Sequence, residues 1–421
     1  MKGLAAVGVA FFVYAAMASR LERVWISAPM FFVAVGVALG PDSLGWVAVL
    51  PGVEAGRVFT EIILAVLLFA DASTISLNRV RDDAALPARL LLLGLPLTIV
   101  LGTVAGGLLF PDIGWAGAAL LASILAPTDA ALGTAVVTNP VVPVRIRRAL
   151  NVESGLNDGI AAPFVTLFLT LVTAEETHAV HWAVEAAKEI GVAVVVAVLV
   201  GVAGGWVIDR ARRRGWTTPV ATELAVLALA LLSYAGSVSF GGNGFVAAFV
   251  AGIVFGATTR GALAERTEFT ETAAMFGSFV VWALFGAGLA GPVLAAGLHV
   301  EPLVYALLSL TVIRMVPVAL ALFGTGLRRD TVLFMGWFGP RGLASVVFTL
   351  FAFSSLPEHG LHAVTILEVA TYTILLSVVA HGLSAAPLSK VYGARSARAP
   401  AHLPEHAPSP EPRVRRRTLA G

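Results

Sequence analysis

The amino-acid sequence predicts an all-α polytopic membrane protein with about 13 transmembrane helices, arranged as two inverted six-helix repeats with interrupted crossover helices. Of its 421 residues, 58% are hydrophobic and 13% are charged, whereas ordinary soluble domains carry roughly 25% charged residues. Apolar runs of about 20 residues recur along the chain, each long enough to cross a hydrocarbon core roughly 30 Å thick. The fifth and twelfth runs contain proline, glycine and charged residues in their middle, as expected of helices broken inside a membrane.

The apolar runs follow one another with short polar connections. The first run, after Lys2, ends at Arg20 without a small-residue cleavage site, so we interpret it as a retained helix and not as a signal peptide. Charged residues, glycines or prolines end each later run. The predicted helices cover residues 3–19, 26–40, 58–74, 86–110, 114–138, 147–173, 185–208, 219–236, 243–258, 271–297, 301–325, 331–354 and 363–388.

The basic residues predict the orientation of the helices. Cytoplasmic loops of membrane proteins carry an excess of Lys and Arg, and most of the 28 basic residues here lie in alternate loops and in the C-terminal tail. The opposite side holds Lys2, Arg57 and Lys188. We therefore expect a multi-pass protein of the plasma membrane, with the N-terminus outside and the C-terminus cytoplasmic. The loop arginines assigned to the cytoplasmic side are Arg20, Arg23, Arg79, Arg81, Arg145, Arg147, Arg148, Arg210, Arg212, Arg213, Arg214, Arg260, Arg266, Arg328 and Arg329.

Two domains are expected from composition. Residues 1–390 form the predicted transmembrane domain, and residues 391–421 a disordered basic cytoplasmic tail. The tail is rich in Pro, Ala and Arg and shows no apolar periodicity, which is typical of segments that bury too little apolar surface to fold. Its arginines at 413 and 415–417 either contact anionic lipid or stay solvated.

Several function classes lack the residues that they need. The chain has no cysteine, which excludes thiolate metal sites and cysteine nucleophiles. Neither an HExxH motif nor the glycine and lysine pattern of a P-loop occurs. The net charge of +2 follows from membrane topology and gives no support for nucleic-acid binding. We expect a protein that is not an enzyme and that requires no cofactor.

Polar residues in the fifth run mark a candidate site. Ala126-Pro127-Thr128-Asp129 lies inside this run. Pro127 lacks a backbone donor and clashes with the preceding turn, so the helix should kink or unwind near Thr128 and Asp129. Freed carbonyl groups and half-helix ends can then serve as ion ligands at membrane depth. The alternative is a simple proline kink that is capped by Thr128 and Asp129.

The sixth run contains Asn151-Val152-Glu153-Ser154-Gly155-Leu156-Asn157-Asp158-Gly159. Glu153 and Asn157 are four residues apart, as are Ser154 and Asp158, so these side chains share one face of the helix. An ionisable group at mid-helix costs about 2.5 to 3.5 kcal/mol even on insertion scales, so this face should point into the protein. It either binds an ion or forms a polar seam between two helices.

A second interruption is expected in the twelfth run. Three glycines and a proline surround Arg341 in Gly336-Trp337-Phe338-Gly339-Pro340-Arg341-Gly342. Runs five and twelve are an odd number of crossings apart, so they traverse the membrane in opposite directions, as inverted repeats of helices 1–6 and 8–13 require. A buried guanidinium needs a carboxylate. Glu153 is the favoured partner of Arg341, and Asp129 is the competing one.

Other polar residues within apolar runs have more than one interpretation. Arg314 either holds a structural charge, which we favour, or extends its guanidinium to the interface. Asp71, near the cytoplasmic end of the third run, either lines a cytoplasmic funnel or caps its helix. Glu61 and Glu368 are expected to pack against polar neighbours. His381 is expected to pack or to cap a helix and not to bind a metal.

Together these motifs resemble the monovalent cation/proton antiporter family, specifically its bacterial NhaP-type sodium/proton branch. The resemblance covers about residues 3 to 390 and rests on Pro127-Thr128-Asp129, Glu153-Ser154-Gly155-Leu156-Asn157-Asp158-Gly159 and Pro340-Arg341-Gly342. It implies a homodimer of 13-helix, inverted-repeat subunits, each with a dimerisation domain and a moving six-helix core.

The resemblance also implies roles for individual residues. Asp158 would be the exchanging carboxylate and would bind Na+ together with Ser154 and Thr128, with Asp129 as a further oxygen donor and Asn157 as organiser of the site.

The same resemblance implies that Glu153 and Arg341 form an ion pair that braces the core. Leu68-Phe69-Ala70-Asp71 departs from the glutamate-containing pattern common at this point of the family, so the resemblance does not define a role for Asp71.

Physical chemistry favours the same function. Burial disfavours the charged form of a carboxyl group, so a membrane carboxyl can hold or release a proton near neutral pH, and once ionised it is the hard oxygen ligand that Na+ or Li+ requires. The sequence therefore predicts exchange of Na+ or Li+ for H+ by alternating access, because an empty charged site is costly to move past an apolar barrier. One exchanging carboxylate in the pair Asn157-Asp158 predicts electroneutral exchange.

Three other functions are kept as alternatives. A K+/H+ antiporter would share this architecture, since no motif here specifies the cation. An organic-anion symporter could also use broken helices, but an acidic site disfavours an anionic substrate. A channel would need a continuous pore, for which a carboxylate between interrupted helices is poorly suited.

Overall fold

The computed structural model describes residues 2–47, 54–74, 85–129, 132–173, 179–259, 268–356, 361–400 and 402–409. Within these residues the regular structure is helical, without strands, and the helices form thirteen segments in the predicted order. Eight of the described helices are long and apolar enough to cross a membrane. The prediction of an all-α polytopic membrane fold is confirmed.

We number the segments α1 to α13 and mark the two halves of a broken segment a and b. They are α1 Lys2–Arg23, α2 Ala28–Leu39, α3 Glu54–Ser73, α4 Ala85–Leu109, α5a Gly114–Leu125, α5b Thr134–Val137, α6 Val144–Thr173, α7 Ala179–Arg213, α8 Pro219–Ser239, α9 Gly244–Thr258, α10 Glu268–Phe285 with Gly286–Ala290 and Gly291–Ala296, α11a Val300–Leu310, α11b Val312–Ala321, α12a Arg329–Trp337, α12b Leu343–Ser355 and α13 Leu361–Ala397.

Two prolines widen their helices without breaking them. Pro96 in α4 and Pro292 in α10 each follow a π-helical turn, Leu90–Gly94 and Gly286–Ala290 respectively. Proline cannot donate to the carbonyl one turn earlier, and its ring clashes with that carbonyl. The wider π-helical turn before each proline makes room for the ring. Both helices therefore continue through their prolines, unlike α5 and α12.

The helices pack as two bundles. The core bundle contains α4, α5, α6, α11, α12 and α13, and the scaffold bundle contains α1, α2, α3, α7, α8, α9 and α10. At one part of the interface between the bundles, α6 and α12b of the core bundle pack against α3 and α9 of the scaffold bundle. The polar motifs of the fifth, sixth and twelfth runs all lie in the core bundle. Loops and helix ends on one face carry most of the described arginines, and we call this face the arginine-rich face.

The C-terminal segment differs from the prediction. α13 continues to Ala397, past the predicted domain boundary at residue 390. Glu405 is buried, with 1% of its surface exposed. Its Oε1 accepts hydrogen bonds from the backbone N–H of Arg328 (2.8 Å) and from Oγ1 of Thr331 (2.8 Å). The Glu405 carboxylate therefore lies at the N-terminus of α12a, where the helix dipole favours negative charge.

Arginine hydrogen bonds also hold this segment on the core bundle. Arg145, at the start of α6, donates to the carbonyl oxygen of Pro404 (2.7 Å). Disorder from residue 391 is therefore a wrong prediction for residues 391–400 and 402–409, because helix continuation and polar contacts order them despite their low apolar content. Residues 410–421, with the arginines at 413 and 415–417, lie outside the described residues.

Candidate functional site

The break in α5 begins where Pro127 was expected to cause it. α5a ends at Leu125, and the chain is non-helical through Thr128 and Asp129. The last carbonyl groups of α5a consequently lack helical donors. Two side chains of α12 supply them: Oγ of Ser345 donates to the carbonyl of Ile124 (2.8 Å), and Nη1 of Arg341 donates to that of Ala126 (2.9 Å). The predicted interruption of the fifth helix is confirmed.

α12 is interrupted in the same way between Trp337 and Leu343. The backbone N–H of Leu343, the first residue of α12b, donates to Oδ2 of Asp129 (3.0 Å), and the backbone N–H of Asp129 donates to the carbonyl of Pro340 (2.8 Å). Asp129 therefore places a carboxylate at the N-terminus of α12b, where anions are favoured. A side chain at position 342 would overlap Asp129, so Gly342 permits this approach.

Arg341 caps the ends of two helices. Its side chain is fully buried, and besides Ala126 its guanidinium donates through Nη2 to the carbonyl of Ser309 (3.1 Å). That carbonyl is available because α11 is interrupted at Thr311. The backbone N–H of Arg341 donates to Oγ of Ser377 on α13 (2.7 Å). Arg341 therefore neutralises the C-terminal ends of α5a and α11a, where helix dipoles favour cations.

Glu153 forms its ion pair with Arg314, and the predicted pair of Glu153 and Arg341 is wrong. Nη1 of Arg314 lies 2.7 Å from Oε1 of Glu153, and both side chains are 3% exposed. The guanidinium of Arg341 instead donates to carbonyl groups that lack helical donors at the helix breaks. Arg314 on α11b, which pairs with Glu153, therefore has the structural role that the sequence favoured for it. The break at Thr311 was not predicted, although Thr311 and Pro317 flank Arg314 closely in the sequence.

Three of the predicted site residues contact one another between α5 and α6. Oγ1 of Thr128 lies 3.1 Å from Oγ of Ser154, and Nδ2 of Asn157 donates to Oγ1 of Thr128 (2.6 Å). The exposed fractions are 1% for Thr128, 8% for Ser154 and 1% for Asn157. Oδ1 of Asn157 has no hydrogen-bond partner in the part of the chain that the structure describes. The cluster therefore presents neutral oxygen atoms inside the core bundle.

The carboxylates near this cluster are less buried than it is. Asp158 follows Asn157 on α6, and both Asp158 and Asp129 are partly exposed. Both carboxylates therefore keep some accessible surface next to the buried polar cluster. Asp71 is also partly exposed and lies near the C-terminal end of α3, a helix that packs against α6 and α12b. A funnel role for Asp71 stays a prediction.

Aromatic rings of α9 fill the bundle interface on the arginine-poor side of Asp158. Phe249 packs so closely on Gly159 of α6 that any side chain at position 159 would overlap the ring. Phe245, one turn earlier on α9, contacts Phe348 and Phe351 of α12b edge-on, with ring centroids 5.6 and 5.9 Å apart. We call these rings the aromatic seal.

A hydrogen bond joins the two bundles beyond the aromatic seal. Nδ2 of Asn243, the residue that caps α9, donates to Oγ1 of Thr166 on α6 (3.2 Å). The seal was not identified from the sequence, although the spacing of Phe245 and Phe249 places both rings on one face of a helix. Their partners belong to the other bundle, and no local pattern reveals such a pairing.

His381, Glu61 and Glu368, the other polar residues noted within apolar runs, have structural partners. Nε2 of His381 lies 2.8 Å from the carbonyl of Trp337, the last residue of α12a, and its ring stacks on that of Trp337. The expected packing and capping role of His381 is confirmed. Glu61 pairs with Arg57 (2.7 Å) and accepts a hydrogen bond from Tyr234, and Glu368 pairs with His299.

The fold and the site define a class of protein. Two oppositely directed helices are broken at the same depth of the core bundle, with carboxylates and hydroxyl groups beside the breaks, and this architecture is that of inverted-repeat secondary transporters. The model of the family described as the sodium/hydrogen exchanger, transmembrane, matches residues 7–391. The chain belongs to this family.

Known proteins of similar sequence and structure agree with this assignment. The fold is similar to that of the sodium proton antiporter MjNhaP1 from Methanocaldococcus jannaschii at pH 8, with a TM-score of 0.72, 20% identity, and coverage of 93% of this chain and 100% of that one. The K(+)/H(+) antiporter NhaP2 of Shewanella oneidensis is 26% identical over 385 residues, which are 88% of this chain and 64% of that protein. The K(+)/H(+) antiporter NhaP of Alkalimonas amylolytica is 25% identical over 391 residues, with coverage of 91% and 66%. The chain thus spans slightly less than two thirds of the length of the two K(+)/H(+) antiporters.

Proposed function

We propose that the chain exchanges a monovalent cation, Na+ or Li+, for H+ across the plasma membrane, and that cation and proton compete for Asp158. The observation that carries this proposal is the contact of Thr128, Ser154 and Asn157 beside Asp158, at the break of α5, in a chain that belongs to the sodium/hydrogen exchanger family. Hard alkali cations are bound by oxygen ligands, and this cluster supplies hydroxyl and amide oxygens next to a carboxylate.

The hydrogen bonds of the cluster orient these oxygens. Because Nδ2 of Asn157 donates to Oγ1 of Thr128 (2.6 Å), the amide turns its Oδ1 away from Thr128, and that oxygen has no partner among the described atoms. A buried carbonyl oxygen is costly to leave unpaired, and a hydrated or bare cation would satisfy it. Asn157 therefore organises the site and offers one ligand.

The contacts of Glu153 and Asp129 support a single exchanging carboxylate. Glu153 is paired with Arg314 at 2.7 Å, and Asp129 accepts the N–H of Leu343 at the start of α12b. Each negative charge is thereby assigned to a structural counterpart. Asp158 adjoins the Thr128, Ser154 and Asn157 cluster and binds one proton or one monovalent cation, so exchange is one for one and electroneutral. Direct coordination of the cation by Asp129 stays a further prediction.

Transport follows from movement of the core bundle against the scaffold bundle. We infer from the positive-inside rule that the arginine-rich face is cytoplasmic, with the N-terminus outside. The aromatic seal then lies on the outer side of Asp158, which supports a conformation whose site is reached from the cytoplasm. An ionised, empty site is costly to move past Phe245 and Phe249, so only a loaded site crosses. We also propose that two chains form a homodimer.

K+ is the second candidate cation. Two relatives are named K(+)/H(+) antiporters, whereas the structural neighbour is named a sodium proton antiporter. The ions differ in the size of the oxygen cage that they prefer, and the same ligand types serve all of them.

Reconstitution into proteoliposomes tests the proposal. An inward cation gradient should drive proton efflux, read with a pH-sensitive dye, for Na+ and Li+ and, under the alternative, for K+. Asp158→Asn should abolish this signal. Asp112→Asn is the matched control, because Asp112 is exposed in the short turn before α5a. The absence of cation-driven proton flux in the wild type, for all three ions between pH 5.5 and 9, would refute the proposed function.

A further inference from the structure

A second polar site lies at the arginine-rich face, away from Asp158. A cavity of about 310 Å³ is lined by Arg328, Arg395, Arg398, Ala399, Pro400 and Leu403. It brings together the start of α12a, the end of α13 and the turn that leads into residues 402–409. We call it the arginine pocket.

The arginine pocket carries more positive charge than its own acids neutralise. Nη2 of Arg328 pairs with Asp330 (2.6 Å), and its Nη1 donates to the carbonyl of Arg395 (3.3 Å). Arg395 and Arg398 are exposed and form no ion pair within the described residues. Two guanidinium groups of the pocket therefore keep their full set of donors, and a third is fixed beside them.

The described residues of the C-terminal segment offer no carboxylate that could neutralise Arg395 and Arg398. The carboxylate of Glu405 is 1% exposed and is bound to the backbone of Arg328 and to Thr331. It is not part of the lining of the pocket. An anion that binds in the pocket would therefore come from outside the described residues.

The chemistry of the lining favours a phosphate group. Guanidinium groups bind phosphate through two parallel N–H bonds, and several arginines can share the oxygens of one phosphate. We propose that the arginine pocket binds a phosphate-bearing anion at the arginine-rich face.

The depth of the pocket points to a lipid headgroup as the source of this phosphate. α12a has 9 residues between Arg328 and the break at mid-bundle, so at 1.5 Å per residue Arg328 lies about 14 Å from the break. Half of a hydrocarbon core is about 15 Å, so the pocket lies at the edge of the hydrocarbon core, where long arginine side chains reach the headgroup phosphates of the leaflet.

Exposed apolar side chains precede the pocket arginines in the chain. Phe323, in the loop before Arg328, is 82% exposed, and Val391, one turn before Arg395, is 49% exposed. Apolar groups of this size are favoured against acyl chains and not in water. An anionic lipid can place its acyl chains along these residues and its phosphate on Arg395 and Arg398.

Binding of a phosphate would connect parts of the core bundle. Arg328 begins the broken helix α12a, whereas Arg395 and Arg398 follow from α13. An anion held by Arg395 and Arg398 beside Arg328 stabilises this arrangement, since a ligand that binds the folded state raises its stability. The occupied pocket therefore makes the protein more resistant to thermal unfolding.

The test uses the purified full chain in neutral detergent. Thermal unfolding and equilibrium binding are measured with dioctanoyl phosphatidylglycerol, with dioctanoyl phosphatidylcholine, and with inorganic phosphate and ATP. The variant Arg395→Ala/Arg398→Ala removes the two exposed guanidinium groups. Arg20→Ala/Arg23→Ala is the matched control, because these arginines are exposed at the end of α1 on the same face.

We expect phosphatidylglycerol to raise the unfolding temperature of the wild type. We expect the dissociation constant to rise by about tenfold or more in Arg395→Ala/Arg398→Ala and by less than about twofold in the control. Arg395→Lys/Arg398→Lys should lose part of the affinity, because lysine keeps the positive charge but lacks the two parallel N–H donors of the guanidinium group. If phosphate or ATP, and not phosphatidylglycerol, binds the wild type and loses affinity in Arg395→Ala/Arg398→Ala, the pocket binds a soluble phosphate compound and not a lipid headgroup.

Two results would overturn the proposal. One is that no anion binds the wild type. The other is that every anion binds the wild type and Arg395→Ala/Arg398→Ala with equal affinity. Asp158→Asn should bind the anion like the wild type, so failure of the pocket and failure of the exchange site are distinguishable.

Discussion

Asp129 and Arg341 lie at the breaks of two helices, and each bonds the backbone of the other's helix. Oδ2 of Asp129 accepts the N–H of Leu343 (3.0 Å), and Nη1 of Arg341 donates to the carbonyl of Ala126 (2.9 Å). A negative charge therefore meets the positive end of α12b, and a positive charge meets the negative end of α5a. Backbone groups at membrane depth have no water to bond, so this exchange of caps allows both breaks to exist.

Substitution of Asp129 separates capping from proton transport. Asp129→Asn keeps an oxygen that can accept the N–H of Leu343, so we expect a folded protein whose cation/proton exchange stays independent of membrane voltage. Asp129→Ala removes the cap and should lower the stability by about 1 to 2 kcal/mol. Thermal unfolding in detergent measures the second effect, and dye-monitored exchange with a valinomycin-clamped potential measures the first. Loss of exchange in a folded Asp129→Asn protein would instead place Asp129 among the proton carriers.

Because Glu153 and Arg314 form an ion pair, we expect the effects of substituting them on the free energy of unfolding to be strongly non-additive. Glu153→Gln leaves the buried guanidinium of Arg314 without its carboxylate and should cost about 3 to 5 kcal/mol. Arg314→Met in the Glu153→Gln background should restore much of this loss, because the unpaired charge is removed. The measurement is a double-mutant cycle of unfolding free energies.

Arg341→Gln provides the comparison for that cycle. Because the guanidinium of Arg341 bonds the carbonyl groups of Ala126 and Ser309, its coupling to Glu153→Gln should be clearly smaller than that of Arg314→Met. A larger coupling with Arg341 would show that Glu153 braces Arg341 after all.

The aromatic seal predicts one-sided access to the site. The chain has no cysteine, so Ser154→Cys introduces a single thiol in the polar cluster. A membrane-impermeant thiol reagent should label it from the arginine-rich face and not from the opposite face. Adding Phe249→Ala should allow labelling from the opposite face, because the ring on Gly159 is removed.

Phe255→Ala is the matched control for this experiment. Phe255 lies on the same helix and is buried against Phe69 inside the scaffold bundle, so its loss creates a cavity without opening the bundle interface. Equal labelling from both faces in the Ser154→Cys protein, before any change to Phe249, would contradict the seal.

The sequence predicts those features that depend on local chemistry. Pro127 and the glycines around Arg341 disrupt their own helices, so both breaks were predictable without knowledge of the fold. The spacing of Ser154 and Asn157 likewise determines that they share a face of α6.

Features that depend on packing between distant segments were not predictable. The choice of Arg314 over Arg341 as the partner of Glu153 follows from the interruption at Thr311 and from where the freed carbonyl groups lie. Burial of Glu405 depends on the N-terminus of α12a, which is far away in the chain. Composition suggested disorder there because it contains no information on such a contact.

Competition between proton and cation at Asp158 is tested most directly by proton release on cation binding. The purified protein is held in weakly buffered detergent solution near the midpoint of its exchange activity, and Na+, Li+ or K+ is added while the pH is recorded. The transported cation should release protons from the wild type and from Asp112→Asn, and should release none from a folded Asp158→Asn protein. Cation-induced proton release that persists unchanged in Asp158→Asn would contradict the central role of this carboxylate.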